Sequence, residues 1–212
     1  MTLSELAATA FATLLVAFGP VETAAVFGGL TAGVHRHERL RLAWQSVSIA
    51  GVVLLAFAFF GLGVLNTLRV SVDAFRVAGG VLLLVQATQM ILAHPGGLAA
   101  LTLGERRQAM EPGEIAVFPL AFPLIAGPPT LTAVVLLMGR TNHDLAAATV
   151  VIGCILVGLA ITYIAMLSTE FLARLLKVTG ANVVARLSGM ILAALAVQFI
   201  FDGLKGARLF AS

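Results

Sequence analysis

The chain has 212 residues, 60% of them hydrophobic and only 11% charged, where soluble domains carry about 25% charge. That balance excludes an ordinary soluble domain, and the scattered Lys and Arg behind the net charge of +3 form no basic stripe for nucleic acid. A single cysteine, Cys154, excludes an intrachain disulfide, a CxxC redox pair and a cysteine-rich metal centre.

A membrane helix needs about 20 mostly apolar residues, and six stretches qualify. The first, residues 3–30, lacks a basic start and carries Glu5, so it reads as a retained span and not a cleaved signal. The charged run 33–41 reads as a loop. Residues 42–65 form the second span, 66–73 a turn and 74–92 the third span. Residues 94–113, with Glu105, Arg106, Arg107 and Glu111, read as the connector between halves. The fourth span, 114–138, holds Pro119, Pro123, Pro128 and Pro129; 139–144 is a turn. The fifth span is 145–172, a loop holds 177–182, and the sixth is 183–204. Cys154 lies in the fifth and reads as a small buried side chain.

Two spans carry the same interruption. GPVETAAVF at 19–27 and GPPTLTAVV at 127–135 share Gly, Pro, Ala25/Ala133 and Val26/Val134 at an offset of 108. Proline removes an N–H and clashes with the preceding turn, so each pair predicts a broken helix. Arg76-Val77-Ala78-Gly79 and Arg186-Leu187-Ser188-Gly189 match at an offset of 110. Two matches in one order argue for duplication. The predicted fold is all-α, with six transmembrane helices in two inverted three-helix repeats: 1–93, then the connector 94–113, then 114–212. An odd number of spans per half turns the second upside down. Paired breaks of this kind point to a transport site between repeats.

The candidate solute-binding residues surround the breaks: Gly19, Pro20, Glu22 and Thr23 in the first, Gly127, Pro128, Pro129 and Thr130 in the second. Pro20 suits the first position of a new half-helix, whose open N–H groups attract anions. A carboxylate at this depth, Glu22, is costly and points to function; capping of its own helix end is the competing reading. Thr130 stands where Glu22 would repeat. A zwitterion could set its carboxylate near 129–131 and its ammonium group against Glu22. Arg76 and Arg186 begin spans; interfacial anchoring is the favoured reading, with a gate or helix-end role, for instance toward Asp73, as the alternative. Gln86, Thr88, Gln89 and Gln198 either line the cavity or join helices. All four histidines fall in predicted loops without a second ligand at helical spacing, so no metal site or Ser-His pair is predicted.

Loop arginines and lysines set orientation. Arg36, Arg39, Arg41, Arg106, Arg107, Arg174 and Lys177 lie on one side, against Arg69, Arg140, Lys205 and Arg208 on the other. This places both termini on the non-cytoplasmic side of a bacterial inner (plasma) membrane.

GEIAVFPLAFPLIAGP (113–128) and FRVAGGVLLL (75–84) resemble signatures of the MarC family of six-span membrane proteins, and the resemblance covers nearly the whole chain. It implies the fold of the wider LysE-type exporters and transport; one branch of the family moves small neutral amino acids such as alanine and glycine. The usual first motif is Asp-Pro-Ile/Val-Gly-Asn with a second proline. Here Gly19 stands in the acid's place, Glu22 replaces the glycine, Thr23 the asparagine and Ala25 the second proline. In the second motif Ala126-Gly127-Pro128 is kept and Pro129-Thr130 differs. Positions 19 and 22 are nearly one helical turn apart and share a face, so the acid is read as moved and not lost.

The reading is a secondary transporter or exporter of a small polar or zwitterionic solute, foremost a small neutral amino acid, by alternating access. It is not an enzyme and needs no cofactor. No GxxxxGK[ST] motif occurs, so coupling falls to protons, sodium ions or the solute's own gradient. The partners are the solute and the lipid bilayer, with a homo-oligomer compatible and nucleic acid excluded. The alternatives are a membrane scaffold or assembly factor without flux, and efflux of a different small molecule.

Overall fold

A computed structural model describes residues 2–31, 34–92, 115–141 and 144–207, with backbone alone at 119, 123, 170, 172–179, 181, 182, 184 and 185. Among these residues the chain is all-helical: α1 Leu3–Phe18, α2 Pro20–Leu30, α3 Arg36–Thr67, α4 Val72–Leu92, a wide-turned segment Ala116–Ile125, α5 Pro128–Gly139, α6 Leu145–Leu167 and α7 Thr169–Gly206. Five stretches are long and apolar enough to cross a membrane: Leu3–Leu30, Arg36–Thr67, Val72–Leu92, Leu145–Leu167 and Arg186–Gly206. Pro128–Gly139 is apolar but shorter.

Both predicted breaks are present. The connector 94–113, with Arg106 and Arg107, lies outside the described residues, as do Arg208, His94 and His143. Two expected loops differ. The run 33–41 is helical from Arg36, with His35 as its extended N-cap, so His37 is helical and not in a loop. The expected loop at 177–182 lies within α7, which starts at Thr169, while the fifth span ends at Leu167 and not Leu172. In both places charged residues mark a helix leaving the apolar layer. They do not mark its end, because charged side chains are good helix formers in water.

Helix ends follow local rules. Thr2 and Glu5 form a capping box at the start of α1, and Asp144 caps α6 through the Ala146 N–H at 2.9 Å. Deep hydroxyls bond back to carbonyls one turn earlier: Ser46 to Leu42 (2.8 Å), Thr162 to Gly158 (2.9 Å) and Thr132 to Pro128 (2.9 Å). Such bonds satisfy polar atoms that lipid cannot.

The main core joins α1, α2, α3, the wide segment, α5 and α6 around Leu14, Phe18, Leu54, Leu120, Ile125 and Ile155. A second core joins α4, α5 and α7 through Leu83, Ala87, Leu136, Leu192 and Phe199. α4 and α7 run antiparallel in close contact. A methyl at Gly80 would lie 2.8 Å from the Ala196 carbonyl oxygen, and one at Gly189 would lie 3.1 Å from that of Ala87. α3 and α6 are also antiparallel: Gly51 faces Leu159, and Trp44 meets Tyr163 edge-on with ring centroids 5.9 Å apart. Outward faces stay apolar; Phe60 is 70% and Val52 69% exposed on α3, a surface suited to lipid and not water.

Candidate functional site

At the first break Gly19 adopts φ 51° and ψ 60°, at once ending α1 and preceding α2. Only glycine takes this left-handed conformation without a steric cost. Pro20 follows as the first residue of α2. Thr23 holds the junction twice: its N–H donates to the Gly19 carbonyl (2.8 Å) and its hydroxyl to the Phe18 carbonyl (3.0 Å). The N–H groups of Val21 and Glu22 are those a first helical turn leaves open.

Glu22 turns back over the break. Its Oε2 lies 3.4 Å from where a side chain at position 19 would begin. The carboxylate therefore lies in the space beside Gly19.

The second break is built differently. Phe118 (φ −128°, ψ 125°) and Phe122 (φ −134°, ψ 130°) are extended within the wide segment. Each precedes a proline, whose ring forces its predecessor out of helical geometry. The segment closes with the Ala126 N–H donating to the Ala121 carbonyl five residues back, at 2.9 Å. Gly127 is extended (φ −72°, ψ 166°), and α5 opens with Pro128 and Pro129. The Leu131 N–H bonds to the Gly127 carbonyl at 2.9 Å. Two prolines lack N–H groups, so only Thr130 offers an open backbone donor in this turn.

The two breaks meet. The Thr130 hydroxyl donates to the Ala17 carbonyl at 3.3 Å, across 113 residues. That carbonyl belongs to the last turn of α1, where the break removes the usual helical donors. The Thr130 hydroxyl, which the sequence leaves open for a ligand, is thus engaged with the other break. Gly127 and Thr130 are buried, Pro20, Glu22 and Pro129 half-buried, and Pro128 exposed.

Among the described residues no hydrogen bond or ion pair joins either span-start arginine to this junction. Arg76 pairs with Asp73 on its own helix at 3.1 Å, the partner anticipated from sequence. Arg186 is exposed. Gln198 donates to Asp202 at 2.7 Å, and Asp202 also accepts from Arg140 at 3.3 Å. Arg140 and Asp202 are paired residues that sequence reasoning passes over, since an isolated charge at a span end carries no sign of its partner. Cys154 is half-buried, its thiol 3.7 Å from the Ala7 carbonyl.

The all-helical fold, the long apolar helices and the apolar outer surface define a multi-pass integral membrane protein. Comparison with known proteins gives the family. The pattern described as "MarC family integral membrane protein" matches residues 4–208, and the chain belongs to the MarC family. It is 38% identical over 200 residues to the UPF0056 membrane protein MJ1677 of Methanocaldococcus jannaschii, covering 94% of this chain and 96% of that one. It is 35% identical to PYRAB13050 of Pyrococcus abyssi (89% of each chain) and 32% identical to YvbG of Bacillus subtilis (92% of each). Both are also named UPF0056 membrane proteins. No solved structure matches the chain.

Proposed function

We propose that the protein is a secondary transporter, not an enzyme, that moves a small zwitterionic solute, foremost a small neutral amino acid, across a bacterial inner membrane. The observation that carries this reading is the bond between Thr130 and Ala17, which places two mid-helix breaks side by side. Irregular backbone at membrane depth is tolerated where protein or a wet cavity satisfies it, and paired breaks are where transporters hold their cargo.

The packing supports two inverted repeats, the first made of α1/α2, α3 and α4, the second of the wide segment/α5, α6 and α7. The larger packing contacts correspond in pairs when the repeats are exchanged. α1 and α2 pack on α6 as the wide segment and α5 pack on α3; α2 meets α7 as α5 meets α4. The pairs α3–α6 and α4–α7 map onto themselves. Gly80 faces Ala196 and Gly189 faces Ala87, each alanine seven residues beyond the other helix's glycine. Rocking of one repeat against the other around the junction then gives alternating access.

In this mechanism Glu22 takes the solute's ammonium group. The solute's carboxylate takes the Thr130 N–H and, on displacing the Ala17 carbonyl, its hydroxyl. Protons or sodium ions supply the coupling, and both termini face the non-cytoplasmic side. Purified protein in liposomes, given labelled alanine or glycine with and without proton and sodium gradients, tests the reading. Uptake that Glu22→Gln reduces at least about tenfold, the effect of losing a charge-assisted contact, supports it. Absence of flux for every solute tried would favour a scaffold or assembly role.

A further inference from the structure

We propose that the exposed face at the start of α3 is a binding site for an anionic phospholipid, whose headgroup Arg36 and Arg41 hold. α3 has 32 residues, about 48 Å at 1.5 Å per residue, against a hydrocarbon layer of about 30 Å. Its uncharged part begins at Leu42, so the turns before Leu42 stand at headgroup depth. In those turns the charges are sorted by side. Arg36, His37, Leu40, Arg41 and Trp44 are all exposed, and their spacing places them on one arc of the helix. The formal charges on this arc are both positive. Glu38, the one acid of the run, is half-buried with Arg39, whose guanidinium lies 5.8 Å from the Phe27 ring centroid. Among the described residues no ion pair joins Arg36 or Arg41 to a carboxylate. Arginine's planar fork matches the oxygens of a phosphodiester.

The same arc continues into the apolar layer. Trp44 is 62% exposed, Val52 69% and Phe59 61%, spaced about two helical turns apart. Tryptophan belongs at the boundary between headgroups and chains, and the two residues below it offer a track for acyl chains. A soluble anion would meet the arginines alone, whereas a phospholipid uses the whole arc. A zwitterionic lipid brings the same chains, but its own ammonium group offsets the attraction of its phosphate. An anionic headgroup gains from each nearby cation.

The test uses the full chain in nanodiscs of equal parts phosphatidylglycerol and phosphatidylcholine, and needs no solute. Photoreactive benzoylphenylalanine replaces Leu40, which is 38% exposed on the arc between the two arginines. Mass spectrometry counts the lipid adducts. Phosphatidylglycerol adducts should outnumber phosphatidylcholine adducts at least about fivefold. The same probe in place of Leu145, 83% exposed at the start of α6 beside Asp144, should give a ratio near one. Arg36→Gln with Arg41→Gln should bring the ratio at position 40 near one as well. So should about 1 M salt, where the screening length falls to about 3 Å. Equal ratios at positions 40 and 145 would overturn the site, as would a preference that survives loss of both arginines. Crosslinks chiefly to a second copy of the chain would also overturn it, because they would give this face to an oligomer. If the double variant does not fold, a preference that survives high salt decides against the site in its place.

Discussion

Glu22 is the one charged side chain between Glu5 and His35, and residues 115–139 and 145–169 contain no charged residue at all. A carboxylate in such surroundings acquires a partner or a passenger. Its reach back over Gly19 makes a specific prediction. Moving the acid to its family position, with Gly19→Asp and Glu22→Gly together, should retain the flux that Glu22→Gln loses, because the charge returns to the same space. Aspartate tolerates the left-handed backbone better than most residues. Gly19→Ala has no such compensation and should cost about 1–2 kcal/mol, read as a lower unfolding temperature in detergent. The glycine and proline of this break are legible in sequence because their backbone chemistry is local. The Thr130–Ala17 bond is not, since a hydroxyl that meets a carbonyl 113 residues away leaves no spacing to detect.

At the scale of elements, sequence marks where helices must break more reliably than where they end. Phe118-Pro119, Phe122-Pro123 and Gly127-Pro128 show their geometry directly through proline's constraints. The charged turns at 36–41 and in the first part of α7 read as loops because polarity alone resembles irregularity. Helix continues there because nothing at those residues stops it. The α4–α7 contact offers a sharp test. At Gly80 and Gly189 an added methyl meets the backbone of the neighbouring helix, 2.8 Å and 3.1 Å from carbonyl oxygens, and backbone cannot rotate aside. Gly80→Ala and Gly189→Ala should each destabilise the protein by about 1–3 kcal/mol. Gly63→Ala, whose methyl would meet nothing within 4 Å, should not. Thermal unfolding of the three variants in one detergent checks the contrast.

For the whole molecule, the proposed pair of repeats implies an even number of crossings and hence both ends of the chain on one side. Reporter domains fused at each terminus should become accessible together, on the non-cytoplasmic side that the loop arginines indicate. Opposite accessibility would break the repeat arrangement. In the sequence the proposed duplication rests on short matches at offsets of 108 and 110.

The protein contains one tryptophan and one tyrosine, and they are Trp44 and Tyr163, touching edge to face across α3 and α6. All indole emission therefore originates at a single place, beside the sole phenol that can pass excitation to it. Should the two helices slide during a working cycle, colour and intensity of the native fluorescence will shift without any attached dye. The molecule carries its own optical gauge for the proposed rocking motion.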